Sequence, residues 1–197
     1  MVKLDKETVL TPTIILKLVN QHRFNELPRL QKLKRYYNAK HDILNRVAVD
    51  TTQPNNKIVN NYPGYITDTL VGYFVGEPIV YNCDNEVVLE RINNIFKYND
   101  EADENTELAK DASIYGVAYE QLYMDEDSQL RFYHLPVEEC VPVYDTSIES
   151  NLLYFIRYYV EYNIESDSQN WIIEVIDADK ITTFRSDWTM GILNEID

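Results

Sequence analysis

The chain has 197 residues, with 33 Asp+Glu against 18 Lys+Arg and a formal net charge of −15 at pH 7. That length fits one domain or one and a half, and 45% hydrophobic with 12% aromatic residues excludes intrinsic disorder, while so acidic a mean field opposes coating DNA by phosphate neutralisation. No apolar run approaches the ~20 residues of a bilayer crossing, and the opening Met1-Val2-Lys3-Leu4-Asp5-Lys6-Glu7 lacks the apolar centre of a signal peptide, so neither membrane nor leader is expected.

Residues 1–60 hold eleven basic side chains against five acidic ones, a net of +6, and the remainder holds seven against 28, a net of −21. Such polarity fits pairing within the fold, or contact with oppositely charged surfaces on neighbouring copies or on nucleic acid. Thr11-Pro12 predicts a helix start, a hydroxyl cap followed by Pro at the first helical position. Ile15, Leu18, Val19 and His22 then follow the spacing of one buried face. A second helix is predicted from near Pro28, with Leu30, Leu33 and Tyr37 on one side and Arg29, Lys32 and Arg35 largely elsewhere. Asn45–Asn56 is polar, contains Pro54-Asn55-Asn56, and reads as a loop.

Tyr62–Phe74 is again helical, with Ile66, Thr69, Leu70 and Tyr73 in register, and Gly76-Glu77-Pro78 stops it. The Gly72/Gly76 spacing points to tight packing or a helix cap; Asp68 argues against a membrane helix pair. After a short extended piece, Ile79-Val80-Tyr81, Asp84 is the expected N-cap of a helix with Val88, Ile92, Ile95 and Phe96 as its stripe. A further helix carries Leu108, Ala112 and Tyr115 and ends at Gly116. The period then changes to two. Val117–Met124 and Leu130–Leu135 flank the polar turn Asp125-Glu126-Asp127-Ser128, and strand-like runs follow at Leu152–Tyr162, Trp171–Ile176 and Ile181–Phe184. N-terminal helices followed by a mostly antiparallel β-sheet make the fold class α+β. The expected division is a basic helical segment with a loop over 1–60 and an α+β core over 61–197.

Signs of catalysis are sparse. With five glycines and none before a Lys, a phosphate-binding loop and a dinucleotide fingerprint are both absent. No Ser sits in a Gly-x-Ser-x-Gly elbow, and His22, His41 and His134 lie on different elements without His or Cys partners at metal-ligand spacing. His22 reads as a packed core residue. No Lys follows an acid at the two-residue spacing common in nucleases, and the clusters Asp100–Glu104 and Asp125–Asp127 lack the Gly and distal Glu of a Ca²⁺ loop. Both clusters read as solvated surface, the first also favouring a helix N-terminus. Cys83 and Cys140 lack basic sequence neighbours, so two unreactive free thiols in a reducing compartment are expected. No enzyme activity, cofactor or metal is expected.

Tyrosine stands out, with 16 of the 24 aromatic residues. Pairs such as Tyr158-Tyr159 must face both sides of a sheet, which fits ordinary strand propensity and equally a protein–protein contact.

Several segments, taken in order, resemble the portal (head–tail connector) proteins of tailed bacteriophages with long non-contractile tails. Tyr36-Tyr37-Asn38-Ala39-Lys40-His41-Asp42-Ile43 is similar to the family's tyrosine-rich element, with Ala39 where the family has Gly. Asn56-Lys57-Ile58-Val59-Asn60-Asn61-Tyr62 follows. The best-marked block is Ile66-x-Asp68-x-x-x-Gly72-Tyr73-Phe74-x-Gly76-x-Pro78-Ile79-x-Tyr81. Gly116-x-Ala118-Tyr119-Glu120-x-Leu122-Tyr123 resembles its helix-to-strand junction, and Pro136 and Val143-Tyr144-Asp145 come where the family has them. The likeness runs from about Tyr36 to Ile176.

The resemblance implies a non-enzymatic structural subunit of a dodecamer-type ring at one capsid vertex, through which double-stranded DNA is packaged and ejected without sequence-specific binding. It implies terminase, head–tail adaptor, scaffold and major capsid protein as partners. The expected location is the virion, and the bacterial cytoplasm during assembly or as a prophage product. Tyr37, His41, Asn60, Asn61, Tyr62, Asp68, Gly72, Tyr73, Gly76, Pro78, Gly116, Tyr119 and Glu120 are its structural motif residues here. Family members are more than twice as long, so the chain resembles their outward wing region without stem, clip and crown, and the isolated piece can be monomeric. The alternative is an acidic adaptor or DNA mimic that occupies a basic site on a nucleic-acid enzyme, motivated by the −21 of residues 61–197. A metal-dependent hydrolase comes third.

Overall fold

A computed structural model describes residues 2–47, 52, 54–187 and 189–196; within the polar stretch Asn45–Asn56, residues 48–51 and 53 lie outside the described residues. The elements are β1 (Val2–Leu4), α1 (Pro12–Gln21), α2 (Leu27–Tyr37), α3 (Tyr62–Val75), α4 (Glu86–Asn99), α5 (Glu101–Tyr115), β2 (Tyr119–Met124), β3 (Leu130–Leu135), β4 (Cys140–Asp145), β5 (Leu152–Asn163), β6 (Ser168–Ile176), β7 (Ile181–Ser186) and β8 (Asn194–Ile196). The class is α+β. The chain forms two compact units, Met1–Pro28 with Glu138–Asp197, and Arg29–Val137.

In the first unit the Thr11 hydroxyl accepts from the Ile14 N–H at 3.4 Å, and Pro12 opens α1 as predicted. The α1 face of Ile15, Leu18 and Val19 is buried. A π-helical turn over His22–Glu26 then carries the chain into α2, which starts at Leu27, with no capped end between the two helices.

The sheet runs β1-β4-β5-β6-β7-β8, parallel at β1–β4 and antiparallel elsewhere. Alternation sorts its two faces. Val141, Val143, Ile156, Tyr158, Ile173, Val175 and Phe184 join Ile15, Leu18 and Val19 in one core. Each such aliphatic side chain contributes about 1.5–3 kcal/mol by leaving water. The opposite face sets Arg157, Glu161, Glu174 and Arg185 among apolar residues such as Cys140, Phe155, Ile172 and Ile176. There Arg157 pairs with Glu139 at 3.3 Å and Glu174 at 3.5 Å, and the Tyr159 hydroxyl donates to Glu174 at 3.1 Å. His22 is a core residue as predicted, its Nδ1 2.9 Å from the Tyr158 hydroxyl. Burial lowers its pKa, against a smaller opposing effect of Glu26.

In the second unit Asn85, not Asp84, caps α4: its Oδ1 accepts from the Val87 and Val88 N–H groups at 3.1 and 3.2 Å. Asp100, at φ 52°, ends α4 and begins α5. Ile92, Ile95 and Phe96 are half-buried as the stripe requires, whereas Val88 is exposed. Of the α5 stripe, Tyr115 is buried, Leu108 half-buried and Ala112 exposed. The predicted stripe of α3 is corrected more deeply. Gly64 and Thr67 are its buried residues, while Ile66, Thr69, Leu70 and Tyr73 are exposed. Small side chains let α3 approach α5, where the Ser113 hydroxyl donates to that of Thr67 at 3.2 Å, and this turns the bulky apolar face outward. A second small core gathers Leu30, Tyr115 and Val137 with Leu33, Ile114, Val117 and Tyr119. β2 and β3 form a separate two-stranded hairpin, closed by a turn in which Ser128 takes a left-handed φ of 57°.

Among the described residues, no helix is long and apolar enough to cross a membrane, and no group of three or more His, Cys, Asp or Glu is placed to hold a metal ion. Both cysteines are free, Cys83 exposed and Cys140 buried.

Candidate functional site

Of the motif residues, Tyr37, Asn60, Asn61 and Asp68 meet at the junction of α2 and α3. Past Tyr37 the chain reverses: the Lys40 N–H donates to the Arg35 carbonyl at 2.7 Å and the Ala39 N–H to that of Tyr36 at 3.2 Å. This left-handed helix ending holds Ala39 at φ 58°, a conformation that favours glycine. The His41 ring stacks on Tyr36 with centroids 4.6 Å apart, and its Nε2 lies 3.1 Å from the Tyr36 carbonyl. Asp42 pairs with Lys32 at 3.0 Å and Arg35 at 2.8 Å, and these two bonds hold its carboxyl at about 2.

Asn61 ties the two helices. Its Nδ2 donates to the Tyr37 carbonyl at 3.0 Å, and its Oδ1 accepts from the Gly64 N–H at 3.3 Å as the N-cap of α3. One turn further, Asp68 accepts from the Tyr37 hydroxyl at 2.9 Å. Burial and this bond to Asp68 raise the Tyr37 pKa, so the phenol stays a donor at neutral pH. Asn60 contributes its carbonyl, which accepts from the Tyr62 N–H at 2.9 Å. Gly64 was not singled out by the motif series, yet a Cβ there would collide with the Asn61 amide and meet the Tyr37 carbonyl at 3.0 Å.

Beside this junction lies an apolar groove of about 650 Å³, lined in part by Leu33, Tyr36, Pro63, Ile66, Leu70 and Ile114. The outward side of α3 continues it through the exposed Tyr62, Tyr65 and Phe74 to Tyr73, which is 93% exposed. Exposed apolar surface of this kind is a feature of protein or membrane contacts, of ligand grooves and of aggregation-prone faces. The arrangement joins helices and presents an apolar face. Of the two readings of the Gly72/Gly76 pair the helix cap is the one found: Gly76 is the C-cap of α3, where a Cβ would collide with the Gly72 carbonyl, while Gly72 itself has open space around its Cα. Pro78 is exposed beyond that cap.

The remaining motif residues sit at the start of the hairpin. Gly116, at φ 80°, ends α5, with its N–H bonded to the Ala112 carbonyl at 3.0 Å. Tyr119 faces Leu135 across the hairpin and packs on the small core. Glu120 faces His134, and its surroundings push its carboxyl pKa up, with a lesser push from the Glu104 charge.

The clusters read as solvated surface are partly structural. Glu104 is buried; its Oε2 accepts the His134 N–H at 2.7 Å and lies 2.9 Å from the ring Nδ1. Glu101 accepts from Tyr81 at 2.6 Å, and Asp125 from the Gln129 N–H at 2.8 Å and Tyr98 at 3.1 Å. Donors 20, 27 and 30 positions away carry no local sequence signal, whereas the Gln129 bond to Asp125 is local to the turn.

A family model described as phage portal protein, SPP1 Gp6-like, matches residues 16–195. The portal protein of Bacillus phage SPP1 is 30% identical over 157 residues, 75% of this chain and 30% of that protein. The portal protein of Clostridium phage phiCD119 is 28% identical over 144 residues, 65% of this chain and 32% of that protein. The chain thus spans about a third of the length of these curated relatives. With the family model matched along most of its length, the chain belongs to the SPP1 Gp6-like family of phage portal proteins.

Proposed function

We propose that this chain supplies subunit–subunit contacts in a ring at one capsid vertex, through which DNA is packaged and ejected, and that terminase and a head–tail adaptor dock on the assembled ring. The observation that carries the reading is the apolar face on the outside of α3, Ile66, Leu70, Tyr73 and Phe74, which has the character of a subunit contact. The sequence polarity of +6 against −21 supports a head-to-tail contact between unlike surfaces. The Tyr37–Asn61–Asp68 junction then acts structurally, by fixing α3 so that this face is presented as one rigid strip.

The acidic-adaptor reading has less behind it. Glu104, Asp125, Glu139 and Glu174 are engaged in bonds within their own unit rather than free to imitate phosphates. Native mass spectrometry of a chain extended to the length of the portal relatives tests the ring: closed oligomers or head-to-tail intermediates are expected, and only monomers or two-fold dimers would sink it. Salt-sensitive binding to a basic nuclease would instead favour the adaptor.

A further inference from the structure

A two-stranded hairpin has two open edges and is marginally stable by itself. Here one edge is sealed. The Asp125 N–H donates to the Gln129 carbonyl at 3.0 Å, which places the ladder bonds of the hairpin at Tyr119, Gln121 and Tyr123 of β2. Leu130, Phe132 and His134 of β3 therefore point their main-chain groups away from β2, and side chains meet them. Asn99 donates to the Leu130 carbonyl at 2.9 Å and accepts from the Phe132 N–H at 3.2 Å, and Glu104 accepts from the His134 N–H at 2.7 Å.

The other edge carries no such cover. By the same alternation Glu120, Leu122 and Met124 turn their N–H and C=O groups outward, and among the described residues nothing bonds them. Leu122 is 61% exposed and Met124 60%. Exposed strand edges are usually blunted by charged side chains, Pro or a bulge; β2 has no Pro and no bulge, and its one charge, Glu120, lies at the far end from Leu122 and Met124.

The same unit contains a strand-like segment without a ladder. Ile79-Val80-Tyr81 has high β propensity, yet it forms no strand, and no backbone bond joins it to another described segment. Tyr81 is anchored, its ring 4.6 Å from Phe96 and its hydroxyl on Glu101, while Val80 is 80% exposed. One unpaired edge and one unpaired extended segment on the same chain are complementary between copies, and donated in one direction around a ring they form a head-to-tail contact.

We propose that Pro78–Asn82 of one copy adds as a third strand to the open edge of β2 on the next. Main-chain bonds at Leu122 and Met124 would supply most of the contact, with the exposed Val80 side chain falling on the same sheet face as those of Leu122 and Met124. The inference rests on the ring reading and adds a strand contact to the α3 face on which that reading stands.

The test uses the 197-residue chain over a concentration series, with native mass spectrometry and residue-resolved hydrogen exchange. As oligomers form, the Leu122 and Met124 amides should slow about tenfold or more. Leu122→Pro removes an outward N–H and spares the β2–β3 ladder, and Val80→Pro blocks the donor. Each variant alone should stay monomeric, with the Phe132 and His134 amides still protected as evidence of an intact hairpin. Mixed together they should form one-to-one heterodimers that grow no further, because each retains one competent half. Leu122→Lys keeps the N–H, places a charge on the apolar edge, and should weaken assembly in the same direction. Oligomers whose Leu122 and Met124 amides remain fast overturn the strand contact and leave the ring intact. Unimpaired assembly of Val80→Pro overturns Pro78–Asn82 as the occupant and points to two-fold β2 pairing or a foreign strand. Monomers at every concentration overturn the strand contact, while the ring reading falls only if a chain extended to the length of the portal relatives also stays monomeric.

Discussion

Asn99 stands to Leu130 as a neighbouring strand would: from the end of α4 its Nδ2 donates to the Leu130 carbonyl at 2.9 Å while its Oδ1 accepts the next outward N–H, that of Phe132, at 3.2 Å. The same Nδ2 reaches the Ile95 carbonyl at 2.8 Å, so one buried amide joins helix to strand edge. Asn99→Ala removes these bonds and leaves a strand edge without partners. A loss of about 2–3 kcal/mol is expected, from the desolvated groups left unsatisfied. Urea unfolding measures it, and a change below about 0.5 kcal/mol would mean that water replaces the amide without cost.

What was legible beforehand follows from period and punctuation. α1 carried a cap, a Pro and a clean stripe, and β3 and the long β5 carried strand-like residues between turn signals, so both kinds of element stood out. β1 and β8 did not, because three residues are too few to show a period, and β4 carries Pro142 in its middle. α3 shows the deeper limit. Ile66, Leu70 and Tyr73 form the apolar stripe that usually marks a buried face, yet the packed face is made by Gly64 and Thr67. Periodicity reports that a helix has an apolar side; it does not say whether a neighbour within the chain or another molecule covers it. The Tyr37–Asn61–Asp68 bonds were equally hidden, since their partners lie 24 and 31 positions apart.

Ala39 at φ 58° occupies a position where a Cβ crowds the following carbonyl. Ala39→Gly relieves that strain and restores the residue type that the family resemblance places there. A gain of about 1 kcal/mol is expected, smaller than the strain itself because Gly also gains freedom in the unfolded chain. The thermal midpoint should rise; an unchanged or lower midpoint would show that the turn already accommodates Ala without strain.

Gly64→Ala works in the opposite direction. The new methyl group meets both the Asn61 amide and the Tyr37 carbonyl, so the α3 cap and the bond between helices must give way together. Overpacking with loss of a cap is worth about 2–3 kcal/mol of destabilisation. Asn61→Ala loses the same two bonds without the clash and should cost about 1–2 kcal/mol. Because both act on one contact, the double variant should fall well short of the sum, which a double-mutant cycle reads directly.

The apolar face of α3 separates association from folding. Leu70→Ser and Phe74→Ser replace exposed side chains, so the unfolding midpoint of the monomer should hold to within about 0.5 kcal/mol. If that face is a subunit contact, higher oligomers should disappear from native mass spectra of the same protein. Retained oligomers with an unchanged fold would move the contact elsewhere.

His22 sets an acid limit on the first unit. Its ring is packed in the core against the Tyr158 hydroxyl, and burial holds its pKa below the ordinary 6.5, with Glu26 opposing. Burial likewise pushes the Tyr158 phenol well above its usual 10, so it stays neutral throughout. Below pH 6.5 the unfolded chain takes up a proton at this position and the folded chain does not. The unfolded state therefore binds more protons, and stability falls as the pH drops from 6.5 toward the folded pKa. Asp111 and Glu120 have raised carboxyl pKa values, so proton uptake there favours the fold and works against the His22 effect. His22→Gln keeps a polar group for Tyr158 but does not titrate. Unfolding free energies of the two proteins should converge as the pH falls below 6.5, the wild type losing the greater share, whatever the carboxyls contribute to both. Parallel pH profiles from 7 to 5 would show that the buried ring takes up its proton as readily as an exposed one.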